Sequence, residues 1–113
     1  MLDGAYAEFV RKNDYASGIE LASQFGNVLI TRTFSKLYGL AGLRVGWSYA
    51  PAHVVDALEK VRMPFNVNLP AQAAAIAALE DDAFNEASLA HNDIELARVS
   101  DELKKLGLPI IDG

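Results

Sequence analysis

Seven consecutive residues, Val28-Leu29-Ile30-Thr31-Arg32-Thr33-Phe34, are β-branched and apolar enough for a mostly buried strand. A strand has no stable existence without neighbours to accept its hydrogen bonds, so this run commits the chain to a sheet. Leu43 to Ala50 offers one neighbour, and the apolar, strand-like segment from Leu2 to Val10 another. The rest reads as helix. Asp14 is placed to cap a helix across Tyr15 to Phe25, which Gly26-Asn27 would end in the left-handed conformation. Pro51 suits a first helical position, and Val54, Val55, Leu58 and Val61 recur at helical spacing until Met63-Pro64. Pro70 opens an alanine-rich helix through Ala78. From Asp82 to Leu106, the residues Leu89, Leu96, Val99, Leu103 and Leu106 share one stripe of a long helix that Gly107 closes, and Leu108 to Gly113 begins a further strand.

Strands alternating with helices predict the α/β class. The strands near Leu2 and Val28 are expected to run parallel, joined by the helix from Asp14 to Phe25 as a right-handed crossover, with the strand at Val45 returning antiparallel. Both ends of the chain cut through apolar, strand-like sequence, so the expectation is an excerpt of a larger domain.

Composition limits the function classes. A chain of 113 residues, 51% of them apolar, supplies one core and one domain at most. Its net charge of −5, without a cluster of Lys or Arg, argues against nucleic acid or an anionic membrane as partner and for a small molecule or a protein. The absence of cysteine excludes a disulfide framework, a thiolate metal site and a cysteine nucleophile, and fits a cytoplasmic protein. No apolar run approaches the ~20 residues of a membrane span, and no signal peptide is legible at Met1. His53 and His91 read as surface residues of helices, and Glu80-Asp81-Asp82 as one helix end followed by one helix start, so no metal is expected.

The chemistry concentrates in "TRTFSKLYGLAGLRVGW", Thr31 to Trp47. Lys36 can condense with an aldehyde if its amine sheds its proton, which a neighbouring cation or a dry pocket favours. Thr33, Ser35 and Arg44 offer two hydroxyls and a guanidinium, a set suited to a phosphate dianion, while Gly39 and Gly42 allow close backbone approach. An aldehyde and a phosphate on one small molecule suggest pyridoxal phosphate. Such a cofactor also needs a carboxylate on its ring nitrogen, and Asp3, followed by Tyr6 in "LDGAYAEF", provides one. Taken singly, each residue has a plainer alternative: Lys36 a solvated side chain, Asp3 a strand-end carboxylate, Tyr6 a core aromatic and Arg44 a cap on the loop.

"LDGAYAEF" followed by "TRTFSKLYGLAGLRVGW" resembles the large domain of fold-type I pyridoxal-phosphate aminotransferases, most closely the histidinol-phosphate aminotransferases. The ordered set Asp3, Tyr6, Ser35, Lys36, Gly39, Leu40, Gly42, Arg44 and Gly46 carries the resemblance, which extends over the whole chain. It implies a three-layer α/β/α large domain with a mixed, mostly parallel sheet. Residues 1–81 would be part of that domain, 82–107 the helix running to the small domain, and 108–113 the start of a small-domain strand. It also implies that Lys36 holds pyridoxal phosphate covalently and then serves as the base for the proton shift. Asp3 would pair with the pyridine nitrogen and Tyr6 with the phenolic oxygen, while Ser35 and Arg44 would hold the phosphate with Thr33 adding a contact. Gly4 stands where the family has glutamate, leaving the spacing of Asp3 and Tyr6 intact. The implied reaction is transamination between histidinol phosphate and 2-oxoglutarate in histidine biosynthesis, by a homodimer or higher assembly. The loop from Pro64 to Asn68 would lie against the neighbouring subunit, or simply join two helices. Other pyridoxal-phosphate enzymes, namely decarboxylases and aromatic aminotransferases, share this loop, as do non-catalytic regulators built on the same scaffold. The glycine-rich phosphate turn, the ring-stacking aromatic and the carboxylate-clamping arginine of the family find no counterpart in the sequence, so the segment alone is expected to be inactive.

Overall fold

The computed structural model describes residues 1–11 and 14–111. Its order is β1 (Leu2–Asp3), a 3-10 turn at Ala7–Phe9, α1 (Ile19–Gln24), β2 (Ile30–Thr33), a 3-10 turn at Ala41–Leu43, β3 (Gly46–Tyr49), α2 (Ala52–Val61), α3 (Leu69–Glu80) and α4 (Asp82–Lys105). The three strands form one sheet in the order β1-β2-β3. β1 runs parallel to β2, with Leu2 opposite Ile30 and Asp3 opposite Thr31, and β3 is antiparallel to β2, with Thr33 opposite Gly46. The α/β reading and both strand directions therefore hold.

The strands are shorter than their apolar runs, for local reasons. β1 stops at Asp3 because the Asp3 carboxylate accepts a hydrogen bond from the Ala5 backbone N–H at 3.1 Å, and Ala7 N–H then bonds the Gly4 carbonyl at 3.1 Å. That is a side-chain-driven turn, and it bends the expected strand from Leu2 to Val10 into a 3-10 turn. The helix expected from Asp14 begins instead after Gly18, whose φ of +84° no helix can continue through. The cause is tertiary. Arg32 reaches across from β2 and donates to the carbonyls of Gly4 at 3.1 Å and Ser17 at 3.2 Å, fixing the segment before the helix as loop. Nor does Gly26-Asn27 adopt the left-handed conformation, since the helix ends on an extended Phe25.

The later helices follow the sequence more closely. Asn68 caps α3 by accepting from the Ala71 N–H at 2.9 Å, with Pro70 in the first turn. Asp81 caps α4 through the Phe84 N–H at 2.9 Å, and Asn85 reaches back to the Ala78 carbonyl at 3.0 Å, fixing the corner between α3 and α4. Gly107 takes the left-handed conformation after Leu106, as its position predicts.

The core is small: Ile30, Phe34 and Leu37 from β2 and the loop after it, Ala22 from α1, and Ala71 and Ala75 one turn apart on α3. Alanines at that spacing let α3 pack closely. In α4 no residue is buried; of its expected stripe Leu96 is 63% and Val99 42% exposed, and Leu106 beyond it 75%. The radius of gyration, 17.1 Å, exceeds the roughly 13 Å of a compact domain of this size. Leu108 to Ile111 pair with no strand among the described residues, in contrast to the strand expected there, and Asp112 and Gly113 lie outside them. No helix among the described residues is long and apolar enough to cross a membrane.

Candidate functional site

In an open α/β sheet, ligands bind beyond the carboxyl ends of parallel strands, where the connecting loops diverge. Asp3 is the last residue of β1 and Thr33 the last of β2, and the two strands are parallel, so Asp3 and the loop carrying Lys36 leave the sheet at the same end. The ladder continues one step further, with Gly4 N–H bonded to the Thr31 carbonyl at 3.0 Å. The guanidinium of Arg32 lies against the bare Cα of Gly4, where a Cβ would collide with it. Gly4 and Arg32 together fix the end of β1 where Asp3 stands.

The loop from Phe34 to Val45 is closed by its own backbone. Phe34 N–H bonds the Val45 carbonyl at 3.2 Å, Leu40 N–H the Phe34 carbonyl at 2.9 Å, and Gly39 N–H the Lys36 carbonyl at 3.0 Å. Phe34 and Leu37 turn into the core while Lys36 between them points outward, so the apolar neighbours anchor the lysine. The Lys36 ammonium lies 5.0 Å from the centroid of the Tyr6 ring, within the range of a cation–π contact. Tyr6, 62% exposed, comes from the 3-10 turn after β1, so the contact joins the loops following the two parallel strands.

Beside Lys36 a second cluster forms. Thr33 Oγ1 accepts from the Ser35 N–H at 3.0 Å and donates to Ser35 Oγ at 2.9 Å, while Arg44 Nη1 donates to Ser35 Oγ at 3.5 Å and to the Ala41 carbonyl. Ser35 Oγ thus accepts twice and keeps its own hydrogen to donate. Arg44 keeps three of the five N–H donors a guanidinium carries. Thr33 is occupied on both sides, so it orients Ser35 rather than presenting a free hydroxyl. Arg44 stands in the left-handed region at φ 55°, ψ 51°, a conformation that costs a non-glycine residue about 1–2 kcal/mol. Of the two loop glycines, Gly39 is left-handed at φ +67°, whereas a Cβ on Gly42 would meet open space.

The structure brings Lys36 to Tyr6, and Thr33, Ser35 and Arg44 to one another. Asp3 shares their end of the sheet and spends a carboxylate oxygen on the Ala5 N–H. The family model for aminotransferase class I and II matches residues 1–113. The chain belongs to the class I and II aminotransferase family.

Within that family it is similar to two histidinol-phosphate aminotransferases of Rhodopseudomonas palustris, 54% and 52% identical over 110 residues, a match covering 97% of this chain and 30% of each relative. The chain therefore spans about a third of the length of the curated relatives it matches. Among solved structures it superposes on histidinol-phosphate aminotransferase from Sinorhizobium meliloti, in complex with pyridoxal-5'-phosphate, with a TM-score of 0.83 and 34% identity over 96% of this chain and 30% of that one. A protein of Erwinia carotovora atroseptica, provisionally assigned the same activity, gives a TM-score of 0.88 and 31% identity over 98% of this chain and 32% of that one. The fold is accordingly that of part of the fold-type I aminotransferases, with the mixed sheet cut to three strands.

Three groups beside these residues escape a reading by motif. Arg32 sets the strand ends through backbone carbonyls, a contact no spacing rule announces. Tyr38 stacks on Phe34 at 4.9 Å between centroids, and its hydroxyl is held above the ordinary phenol range, first by burial and then by the Glu8 carboxylate. Asn68 caps α3 and at the same time donates through Nδ2 to the Leu43 carbonyl at 3.3 Å; the cap is legible as Asn before Leu-Pro, the second bond is not.

Proposed function

We propose that this chain is the lysine-bearing part of the large domain of a pyridoxal-phosphate aminotransferase that exchanges an amino group between histidinol phosphate and 2-oxoglutarate in histidine biosynthesis. The observation that carries the reading is the pairing of two sites at the carboxyl ends of β1 and β2: an outward lysine amine on the face of Tyr6, and a Ser35–Arg44 pair with donors to spare. An amine of this kind suits an aldehyde, and donors of this kind suit a phosphate dianion. The residues present therefore fit the cofactor, which supplies an electron sink once bound.

In this reading Lys36 would anchor the cofactor and, once released from it, its amine would take the proton from the substrate carbon that bears the amino group. Tyr6 orients the Lys36 amine through its ring and offers its hydroxyl to the phenolic oxygen. The Asp3 carboxylate, with one oxygen occupied by Ala5, offers the other to the pyridine nitrogen. Ser35 and Arg44 hold the phosphate, and Thr33 fixes the Ser35 hydroxyl. Residues 1–81 belong to the cofactor-binding domain, 82–107 form the connecting helix, and 108–113 lead into the small domain. The relatives' greater length and the uncovered face of α4 support a protein in which the phosphate turn, the ring-stacking aromatic and the substrate-carboxylate clamp come from elsewhere, and we take it to be a cytoplasmic homodimer. Catalysis by such a set is strongly non-additive, so the 113-residue chain alone does not transaminate.

The test is glutamate formation by the full-length protein given histidinol phosphate and 2-oxoglutarate, with Lys36→Ala as comparison. Turnover lost in the variant supports the reading. Turnover with an aromatic amino donor but not with histidinol phosphate overturns the substrate, and cofactor binding without glutamate formation from any donor overturns transamination itself.

A further inference from the structure

We propose that Asn68 is a positioning residue for the phosphate-binding Arg44, acting through the peptide bond that precedes it; the inference rests on Arg44 holding phosphate. The side-chain amide of Asn68 has two partners of opposite kind. Its Oδ1 accepts from the Ala71 N–H at 2.9 Å, and its Nδ2 donates to the Leu43 carbonyl at 3.3 Å. A backbone N–H requires the oxygen and a carbonyl requires the nitrogen, so the two partners fix which way the amide faces.

The Leu43 carbonyl belongs to the peptide plane whose rotation defines φ of Arg44. That angle is +55°, a conformation an arginine does not hold without restraint. One contact acts on that plane directly: Asn68 grips the Leu43 carbonyl from outside the loop, while the preceding peptide is held from inside by Leu43 N–H on the Leu40 carbonyl at 3.0 Å. Asn68 itself is set by the first turn of α3, which is seated by the buried Ala71 and Ala75. A continuous path therefore runs from the packed end of α3, through Asn68 and the Leu43–Arg44 peptide, to the guanidinium beside Ser35. Releasing the Leu43 carbonyl lets Arg44 relax toward φ < 0, which turns its side chain away from Ser35.

Asn68→Ser separates the two roles, because serine caps a helix about as well as asparagine but is too short to hold Ala71 and Leu43 together. The apo form of the full-length protein is titrated with pyridoxal phosphate and with pyridoxal, which lacks the phosphate, for wild type, Asn68→Ser, Arg44→Ala and the double variant, with circular dichroism to follow helix content. The expected result is pyridoxal phosphate binding weakened on the order of tenfold by Asn68→Ser, with pyridoxal binding and helix content unchanged. In the Arg44→Ala background the serine should add nothing. Equal weakening for both ligands, or an additive double variant, would overturn the positioning role while leaving Arg44 on the phosphate. Arg44→Ala weakening both ligands alike would instead show that Arg44 does not read phosphate, and the inference would fail with that premise.

Discussion

In the loop from Thr33 to Gly46 the polar contacts lead back into the loop or across to a neighbouring element, whereas along α4 most of them lie on the helix surface. The loop is tied by Phe34 to Val45, Leu40 to Phe34 and Asn68 to Leu43. Its apolar residues Phe34 and Leu37 are buried. α4 carries the ion pairs Arg98–Glu95 and Lys105–Glu102 three residues apart, both well exposed, and the Arg11–Asp93 pair at 3.1 Å. Exposed pairs of this kind contribute little to stability. The loop is thus specified by contacts among its own residues and their neighbours, while α4 leaves apolar side chains exposed. Each Leu or Val uncovered there forgoes roughly 1.5–3 kcal/mol of burial.

The largest effect should come from breaking the loop where it closes on the sheet. A Cβ on Gly46 would stand 2.6 Å from the Arg32 carbonyl oxygen, a backbone atom held in the β2–β3 ladder. Gly46→Val is therefore expected to cost about 3 kcal/mol or more in denaturant unfolding. A cost near zero would mean that the two strands do not meet there.

A smaller effect is expected from pH. The Tyr38 phenol is raised above its ordinary 10.0 by burial and by Glu8, so the folded protein holds this proton more tightly than the unfolded chain. The contribution is whole below the unfolded value and is lost as pH rises through the folded one. Tyr38→Phe should make the fall of thermal stability above pH 10 shallower, and phenolate absorbance should show the wild-type group titrating late. On α4 the sign is opposite: the hydrogen bond from Arg98 lowers the Glu95 carboxyl, but the pair lies on the helix surface and its loss on acidification should leave unfolding unchanged.

The smallest effect should follow from substituting the uncovered stripe. Leu96→Ser, at a side chain 63% exposed, should change the unfolding free energy of the isolated chain by no more than about 0.5 kcal/mol. It should, however, weaken self-association measured by sedimentation, since exposed apolar faces pair with other copies. Destabilisation comparable to that of Gly46→Val would show that α4 folds back on the sheet, and the contrast between the two regions would disappear.

The same contrast governs what was legible in the sequence. β2 and β3, the loop between them and the three later helices could be read because the period of apolar residues and the local caps both act within a few residues of chain. The short β1 and late-starting α1 could not be read, because an aspartate turning its own backbone and an arginine reaching in from β2 decide them. Apolar periodicity marks a stripe along α4 but carries no information on what covers it, and no residue of α4 is buried. At the site, Lys36, Ser35 and Arg44 were legible as a motif. The left-handed Arg44 and its restraint by Asn68 were not, since that contact joins residues 25 apart in the chain.

The central claim is that Lys36 is the residue bonded to the cofactor. Borohydride reduction of the full-length protein loaded with pyridoxal phosphate, followed by digestion and mass spectrometry, reads this directly. The account predicts the pyridoxyl mass on the peptide containing Lys36 and none in Lys36→Ala. The same adduct on any other lysine, with the Lys36 peptide unmodified, would contradict it.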